Sequence, residues 1–221
     1  MSADLVYSFL LISPLLLVSL VLHELAHGWV AWKLGDPTAK LHGRLTLNPL
    51  KHLDLWGTVM LAVTFFGSAS AAAAGLGNGV FLFGWAKPVP ISPWRFKNPQ
   101  RGMMLVGLAG PAANLTMAFV AAGLVWLTYT WSVFLGNAFT MLFALNVILM
   151  TFNLVPIPPL DGSRVLGGFL PPKTYVRWLT LDRYGNYVFL GLLMIMVLAP
   201  GVFQSTIGAV LQWSFHVLPG G

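Results

Sequence analysis

The chain contains no cysteine and few charged residues, and both absences limit what it can be. Without cysteine there are no disulfides and no thiolate ligands, so any metal site must use nitrogen and oxygen donors. Charged residues make up 8% of the chain, whereas an ordinary soluble domain has about 25%. Since 57% of the 221 residues are hydrophobic, the composition predicts an integral membrane protein. Its length allows five or six spans of ~20 residues.

The excess of basic over acidic residues fits a membrane topology. A net charge of +6 in a soluble protein would raise the question of nucleic-acid binding. Here the basic residues lie in short loops between apolar stretches, which is the bias of cytoplasmic loops in membrane proteins. We therefore expect a multi-pass protein of the cell membrane, surrounded by the lipid bilayer and without a nucleic-acid partner.

The most informative stretch is His23-Glu24-Leu25-Ala26-His27, at the end of a long apolar run. Helix positions four apart share a face, so both imidazoles can bind one ion. Glu24 lies beside the first histidine, where its carboxylate can take a proton from a water molecule on the metal. A charged group inside an apolar helix costs roughly 2.5–3.5 kcal/mol on insertion scales, so a functional role is favoured. The alternatives are two solvated histidines, which the apolar flanks exclude, and a group that only marks the membrane boundary.

Two consecutive basic loops, at 34–55 and 87–101, pose a question of topology. If residues 56–86 crossed the membrane once, one of these loops would lie on the wrong side. This predicts a segment that crosses and returns or that re-enters, with strand-like composition at 80–91, closed by prolines. Such a strand near the site could pair with an unwound substrate. Of the polar residues in the first loop, His52 is the candidate extra ligand worth testing.

Apolar segments at 102–131 and 138–155 predict two further spans. The first contains Asn114 among small residues that let helices pack closely. Two readings of Asn114 stay open, an interhelical hydrogen bond and a polar group of the site. A further apolar stretch at 202–218 is expected either to span the membrane or to lie in its interface.

Asp161 follows the second of these spans in the stretch NLVPIPPLDG, whose prolines stop regular helix. An aspartate before a glycine is often only a turn former. However, the predicted topology brings it to the same side of the membrane as the His pair, and two histidines plus one carboxylate form a standard catalytic zinc set. We therefore predict that His23, His27 and Asp161 are the ligands of one Zn²⁺ ion per chain.

These motifs resemble those of the site-2 protease family of intramembrane zinc metalloproteases. The resemblance is carried by HELAH, GDPTAKLHGRLTLNPLKHLD, GWAKPVPI, LAGPAANL and NLVPIPPLDG. Within this family, the chain is similar to the compact prokaryotic branch that has neither a PDZ nor a CBS domain. The resemblance implies zinc binding by His23, His27 and Asp161, a catalytic Glu24, and a substrate-holding role for Asn153. Asn114 falls in a further family element and is the second candidate for substrate positioning.

Taken together, the sequence predicts an all-α polytopic membrane protein with five to six transmembrane helices. A re-entrant or β-hairpin element is expected between the first and third spans. The whole chain, 1–221, is expected to be one protease domain, with a catalytic core at about 5–165 and C-terminal helices at about 175–221. The predicted function is endopeptidase cleavage of a transmembrane protein or peptide substrate, with the site toward the cytoplasm. The alternatives are a zinc or other ion transporter and a non-catalytic membrane scaffold.

Overall fold

The computed structural model of the chain describes residues 3–73, 83–185, 187–188, 190–191, 194 and 200–218. Within these ranges the structure is helical and contains no β-strand, so the prediction of an all-α protein is confirmed. Short 3₁₀ turns lie at Pro49–Lys51 and Pro93–Arg95. The helices are α1 (Ala3–Lys33), α2 (Thr38–Leu41), α3 (Leu55–Ala73), α4 (Pro99–Thr128), α5 (Val133–Asn153), α6 (Asp161–Phe169), α7 (Pro172–Asp182) and α8 (Pro200–Phe215).

In the part of the chain that the structure describes, three helices are long and apolar enough to cross a membrane, namely α1 from Leu5 to Lys33, α4 and α5. In α3 the apolar stretch Leu55–Ser70 is shorter. The chain therefore has the helices of a membrane protein, while a total of five or six spans stays a prediction. Of the C-terminal helices predicted at about 175–221, the part at 184–199, which is expected to form a span, lies largely outside the described residues.

The ends of the membrane helices follow from local sequence. The Asn98 side chain accepts a hydrogen bond from the Arg101 amide at the start of α4, where Pro99 occupies the first turn. Ser132 caps α5 in the same way. Helix α5 ends at Asn153, just before the prolines that cannot continue it. The chain then makes an irregular connection that delivers Asp161 as the first residue of α6.

Helix α4 is the centre of the packing, because the three most extensive contacts between helices are those of α4 with α5, α1 and α6. One apolar core lies between α4 and α5, where small α4 side chains such as Ala118 and Ala121 meet Leu142 and Phe143. Large apolar side chains elsewhere are exposed, among them Leu10 on α1 and Phe119 on α4. Exposed side chains of this kind suit a lipid environment.

The predicted strand at 80–91 is not confirmed. Residues 80–82 lie outside the described residues, and from 83 onward the chain makes a single antiparallel bridge, between Leu53 and Ala86. A regular ladder would need amides at Pro88 and Pro90, which have none. We call residues 83–92 the connecting segment. The re-entrant or hairpin arrangement predicted for 56–86 stays a prediction.

Buried polar side chains from the preceding loop fix the connecting segment. Arg44 donates to the Lys87 carbonyl, and the backbone carbonyl of His52 accepts from the Lys87 amide at 2.8 Å. Asp36, which is fully buried, accepts from the Ser92 amide at 2.6 Å. Since these contacts join buried polar groups to backbone, they hold the segment in one conformation without a sheet.

The close approach of α6 to α4 depends on Gly107. A Cβ atom at this position would lie 2.9 Å from Arg164 Cβ and 3.0 Å from the Asp161 carbonyl oxygen. Gly107→Ala should therefore lower the free energy of unfolding by about 1–3 kcal/mol, because α6 must move away. The matched control is Gly123→Ala in the same helix, where a Cβ would have no atom within 4 Å. Thermal unfolding in lipid nanodiscs measures both, and equal stability of the two variants would contradict the packing described.

Candidate metal centre

Helix α1 places the two imidazoles of His23 and His27 next to each other. Their ring centroids are 4.6 Å apart with an edge-to-face angle of 86°, and their Nε2 atoms are 3.0 Å apart. Each residue is only 5% exposed. His27 lies six residues before the end of α1, about 9 Å along the axis at 1.5 Å per residue, and His23 lies one turn further from that end. The pair is therefore near one end of the membrane helix, as the sequence predicts.

Asp161 completes a group of three potential ligands. Its Oδ2 atom lies 3.1 Å from Nε2 of His23 and 3.1 Å from Nε2 of His27, and the residue is buried. Among the described residues this is the one cluster of at least three His, Cys, Asp or Glu side chains that could hold a metal ion. The structure thus brings together the three residues predicted as ligands, although Asp161 follows His27 by 134 positions in the sequence.

The three donor atoms fit a zinc ion. They form a triangle with sides of 3.0, 3.1 and 3.1 Å. Ligands at about 2.0–2.1 Å from a tetrahedral zinc are separated by about 3.3 Å, close to these values. Asp161 Oδ2 is buried and has no hydrogen-bond partner of acceptable geometry, as expected for an atom that faces a metal position. The donor set of two imidazoles and one carboxylate is that of catalytic zinc sites.

Both imidazoles are oriented from their far side by helix α4. Nδ1 of His23 donates to Asn114 Oδ1 at 2.8 Å, and Nδ1 of His27 donates to the Val106 carbonyl at 2.6 Å. These bonds leave the proton on Nδ1 and the lone pair on Nε2 of each ring, directed toward the shared position. Asn114 therefore joins α4 to α1 and orients His23 in a single contact.

A small residue on α4 makes room for the two rings. A Cβ atom at Gly110 would lie 2.4–2.6 Å from ring atoms of His23 and His27. The backbone of α4 therefore lies directly against the imidazoles, and any side chain at this position would displace them.

The second oxygen of Asp161 has a different partner, Arg164. Nη1 of Arg164 donates to Asp161 Oδ1 at 3.1 Å, across one turn of α6. Burial alone raises the pKa of the Asp161 carboxyl, but the adjoining imidazoles of His23 and His27 outweigh burial and lower that pKa below its ordinary value. The carboxylate is therefore the stable form, which is the form that binds a metal.

Glu24 follows His23 directly on α1 and is half-buried. Its Oε2 atom accepts a hydrogen bond from the Val89 amide at 2.9 Å, so the connecting segment reaches this carboxylate. The contact does not test the catalytic role predicted for Glu24, but it shows that the carboxylate of the residue next to His23 is bound by a backbone donor.

Two further candidates lie apart from this cluster in the contacts observed. His52 is fully buried, and its Nε2 atom donates to the Thr46 carbonyl at 2.9 Å, so it has a structural role in the first loop. Asn153 donates to the Leu149 carbonyl of its own helix at 2.9 Å. Its predicted part in holding substrate stays a prediction, as does that of Asn114.

Several residues of the site were missed by the sequence reasoning. The Val106 carbonyl and the Val89 amide belong to the backbone and have no side-chain signature. Arg164 did have a signal, because it lies three residues after Asp161 at the start of a helix, where side chains of opposite charge meet.

The contact between Asn114 and His23 predicts a measurable difference between the two asparagines. Asn114→Ala removes the acceptor of His23 Nδ1 and should weaken zinc binding about 10- to 100-fold. Asn153→Ala removes only a bond within α5 and should leave the zinc affinity unchanged. Competition with a chromophoric chelator measures both affinities. A normal affinity in Asn114→Ala would show that the ring does not need this acceptor.

Comparison with known proteins identifies relatives along most of the chain. "Putative zinc metalloprotease YwhC" of Bacillus subtilis is 41% identical over 206 residues, covering 90% of this chain and 82% of the relative. "Putative zinc metalloprotease Rip2" of Mycolicibacterium smegmatis is 33% identical, covering 94% of this chain and 73% of the relative. No family model matches the chain, and no solved structure matches it significantly. By these identities the chain belongs to the family of zinc metalloproteases that includes YwhC and Rip2.

Proposed function

We propose that the protein is an intramembrane endopeptidase of the site-2 protease type, which cleaves peptide bonds in or next to transmembrane segments of its substrates. The observation that carries the proposal is the buried triangle of His23, His27 and Asp161 donor atoms among helices apolar enough to span a membrane. An ordinary metalloprotease site opens to water on the surface of a soluble domain. Here the ligands lie on and beside apolar helices, so a substrate must approach from the membrane or its surface.

The proposed chemistry uses one zinc ion held by these three residues. When bound, zinc lowers the pKa of the attacking water toward about 7 and polarises the peptide carbonyl. Asn114 and the Val106 carbonyl hold the imidazoles in the tautomer that leaves Nε2 free. The Glu24 carboxylate takes the proton of the attacking water and then delivers it to the departing amine nitrogen. The proton thus passes through a single side chain.

The substrate must expose a peptide bond before it can react. In a transmembrane helix each carbonyl is hydrogen-bonded inside the helix, so the substrate must unwind locally. The connecting segment is suited to bind such an unwound strand, since it is irregular, reaches Glu24 through Val89, and is held rigidly by Arg44 and Asp36. Because Pro88 and Pro90 have no N–H, the segment would bind the substrate backbone through carbonyl groups that accept from substrate amides, and these bonds would offset part of the cost of unwinding.

The basic loops support a site near the cytoplasmic face. Helix α1 ends at Lys33 and is followed by Lys40 and Arg44, while the start of α4 is preceded by Arg95 and Lys97. Both helix ends belong to the side of the bundle on which the imidazoles lie. Positive residues concentrate in cytoplasmic loops, so water would reach the site from the cytoplasm.

The proposal is tested most directly at Glu24. Glu24→Gln keeps the size of the side chain but removes the base, so the hydrolysis rate should fall at least about 100-fold. The bound zinc, measured by plasma mass spectrometry on the full chain in proteoliposomes, should stay at one per chain. The substrate is a tagged single-span protein with helix-breaking residues in its span, and cleavage is followed by gel electrophoresis.

The matched control is Asp54→Asn, an equally conservative change of an acidic residue whose oxygen caps the start of α3. It should cleave at the wild-type rate. Full activity in Glu24→Gln would refute the assignment of the base. Zinc flux into sealed vesicles that is lost in His23→Ala but intact in Glu24→Gln would identify an ion transporter instead.

A further inference from the structure

The two carboxylate oxygens of Asp161 have separate partners. Oδ2 faces both imidazole nitrogens at 3.1 Å, and Oδ1 accepts from Arg164 Nη1, also at 3.1 Å. A carboxylate can bind a metal ion through one oxygen or through both. In this structure only Oδ2 is available to the metal position, because a charge-assisted hydrogen bond occupies Oδ1.

We propose that Arg164 is a positioning residue that restricts Asp161 to one ligand oxygen and so keeps a coordination position free for water. This inference rests on the function proposed above. Catalytic zinc sites have three protein ligands and an open fourth position. If the carboxylate rotated to bind through both oxygens, Oδ1 would compete with water for that position. The guanidinium prevents the rotation by holding Oδ1 away from the imidazoles.

In the described part of the chain, no other basic side chain is placed for this role. Arg164 is the one Lys or Arg with a nitrogen within 4.0 Å of the Asp161 carboxylate. Its only side-chain partner there is Asp161, so the guanidinium is not shared with another acid. The Arg164 side chain is 36% exposed, so packing alone does not hold it beside Asp161. The geometry of the pair therefore depends on the position of helix α6, which carries both residues.

Helix α6 is held in place from two directions. From the start of α4, the Gln100 side chain donates to the carbonyls of Gly167 and Leu170 at 2.8 and 2.7 Å. From α7, the Trp178 indole donates to the Ser163 carbonyl at 3.0 Å. Because α6 carries both Asp161 and Arg164, these contacts fix the pair relative to the imidazoles on α1. The backbone of both residues is therefore held in place, and the hydrogen bond to Oδ1 of Asp161 orients the guanidinium.

The test replaces zinc by Co²⁺ in the full chain in nanodiscs, because four-coordinate cobalt absorbs visible light more strongly than five-coordinate cobalt. Arg164→Gln should still bind one cobalt ion, but its d–d absorption should weaken to that of a five-coordinate site. The zinc form should lose about 10- to 100-fold in kcat with little change in KM. Arg164→Lys keeps a cation beside Oδ1 and should recover part of both properties.

The matched control is Arg177→Gln, which removes the same charge from an exposed position on α7. Its cobalt spectrum and its kcat should equal those of the wild type. A four-coordinate spectrum and an unchanged kcat in Arg164→Gln would overturn the inference. If Arg164→Gln does not fold, as judged by thermal unfolding, Arg164→Met takes its place, because it keeps an unbranched side chain without a charge, and the same two results support or overturn the inference.

Failure of the proposed function looks different. Wild-type protein that binds no cobalt, or that still binds one ion after His23→Ala, would show that the metal does not lie at this cluster. A failure of the Arg164 inference alone leaves one cobalt ion bound in the wild type and in all the arginine variants, each with a four-coordinate spectrum and an unchanged kcat.

Discussion

Two imidazoles and a carboxylate lie in contact inside a bundle of apolar helices, and the rest of the structure depends on that contact. Removing a charged group from water costs several kcal/mol even after relaxation, and placing lone pairs about 3 Å apart adds repulsion. The cation that we propose would relieve both costs. Around it, each remaining polar atom of His23, His27 and Asp161 faces a partner on its outer side. Only the Nε2 atoms of the two histidines and Oδ2 of Asp161, which face one another, have no outer partner.

Helix α4 organises this outer layer along one face. Val106, Gly110 and Asn114 are four residues apart, so they follow one another on the same side of the helix. The first supplies a carbonyl, the second supplies space and the third supplies an amide, all directed at the two histidines of α1. Gly107, next to this row, receives α6 and with it Asp161. One helix therefore positions the candidate ligands that come from both of the others.

The sequence predicted the helical class and the three residues that meet in the cluster. The helices and the histidine pair depend on strong local patterns, whereas Asp161 depended on the predicted topology. The spacing of four between His23 and His27 determines their shared face, and the prolines after Asn153 determine where α5 ends. The connecting segment was harder, since its composition favoured a strand while its shape depends on Arg44 and Asp36, distant residues that bind its backbone. Asn114 shows the same limit. Its position among small residues indicated a helix contact, but only the folded chain reveals that the contact is with a metal-ligand candidate.

The hydrogen bond between Glu24 and the connecting segment has a consequence for how the segment can vary. Pro88 and Pro90 flank Val89, so within this tripeptide a single N–H exists, and it is the one that reaches the carboxylate. Nineteen of the amino acids would preserve that donor at position 89 whatever their side chains, and proline alone would abolish it. An alanine scan would not detect the contact, although it joins the connecting segment to the carboxylate that follows His23 on α1.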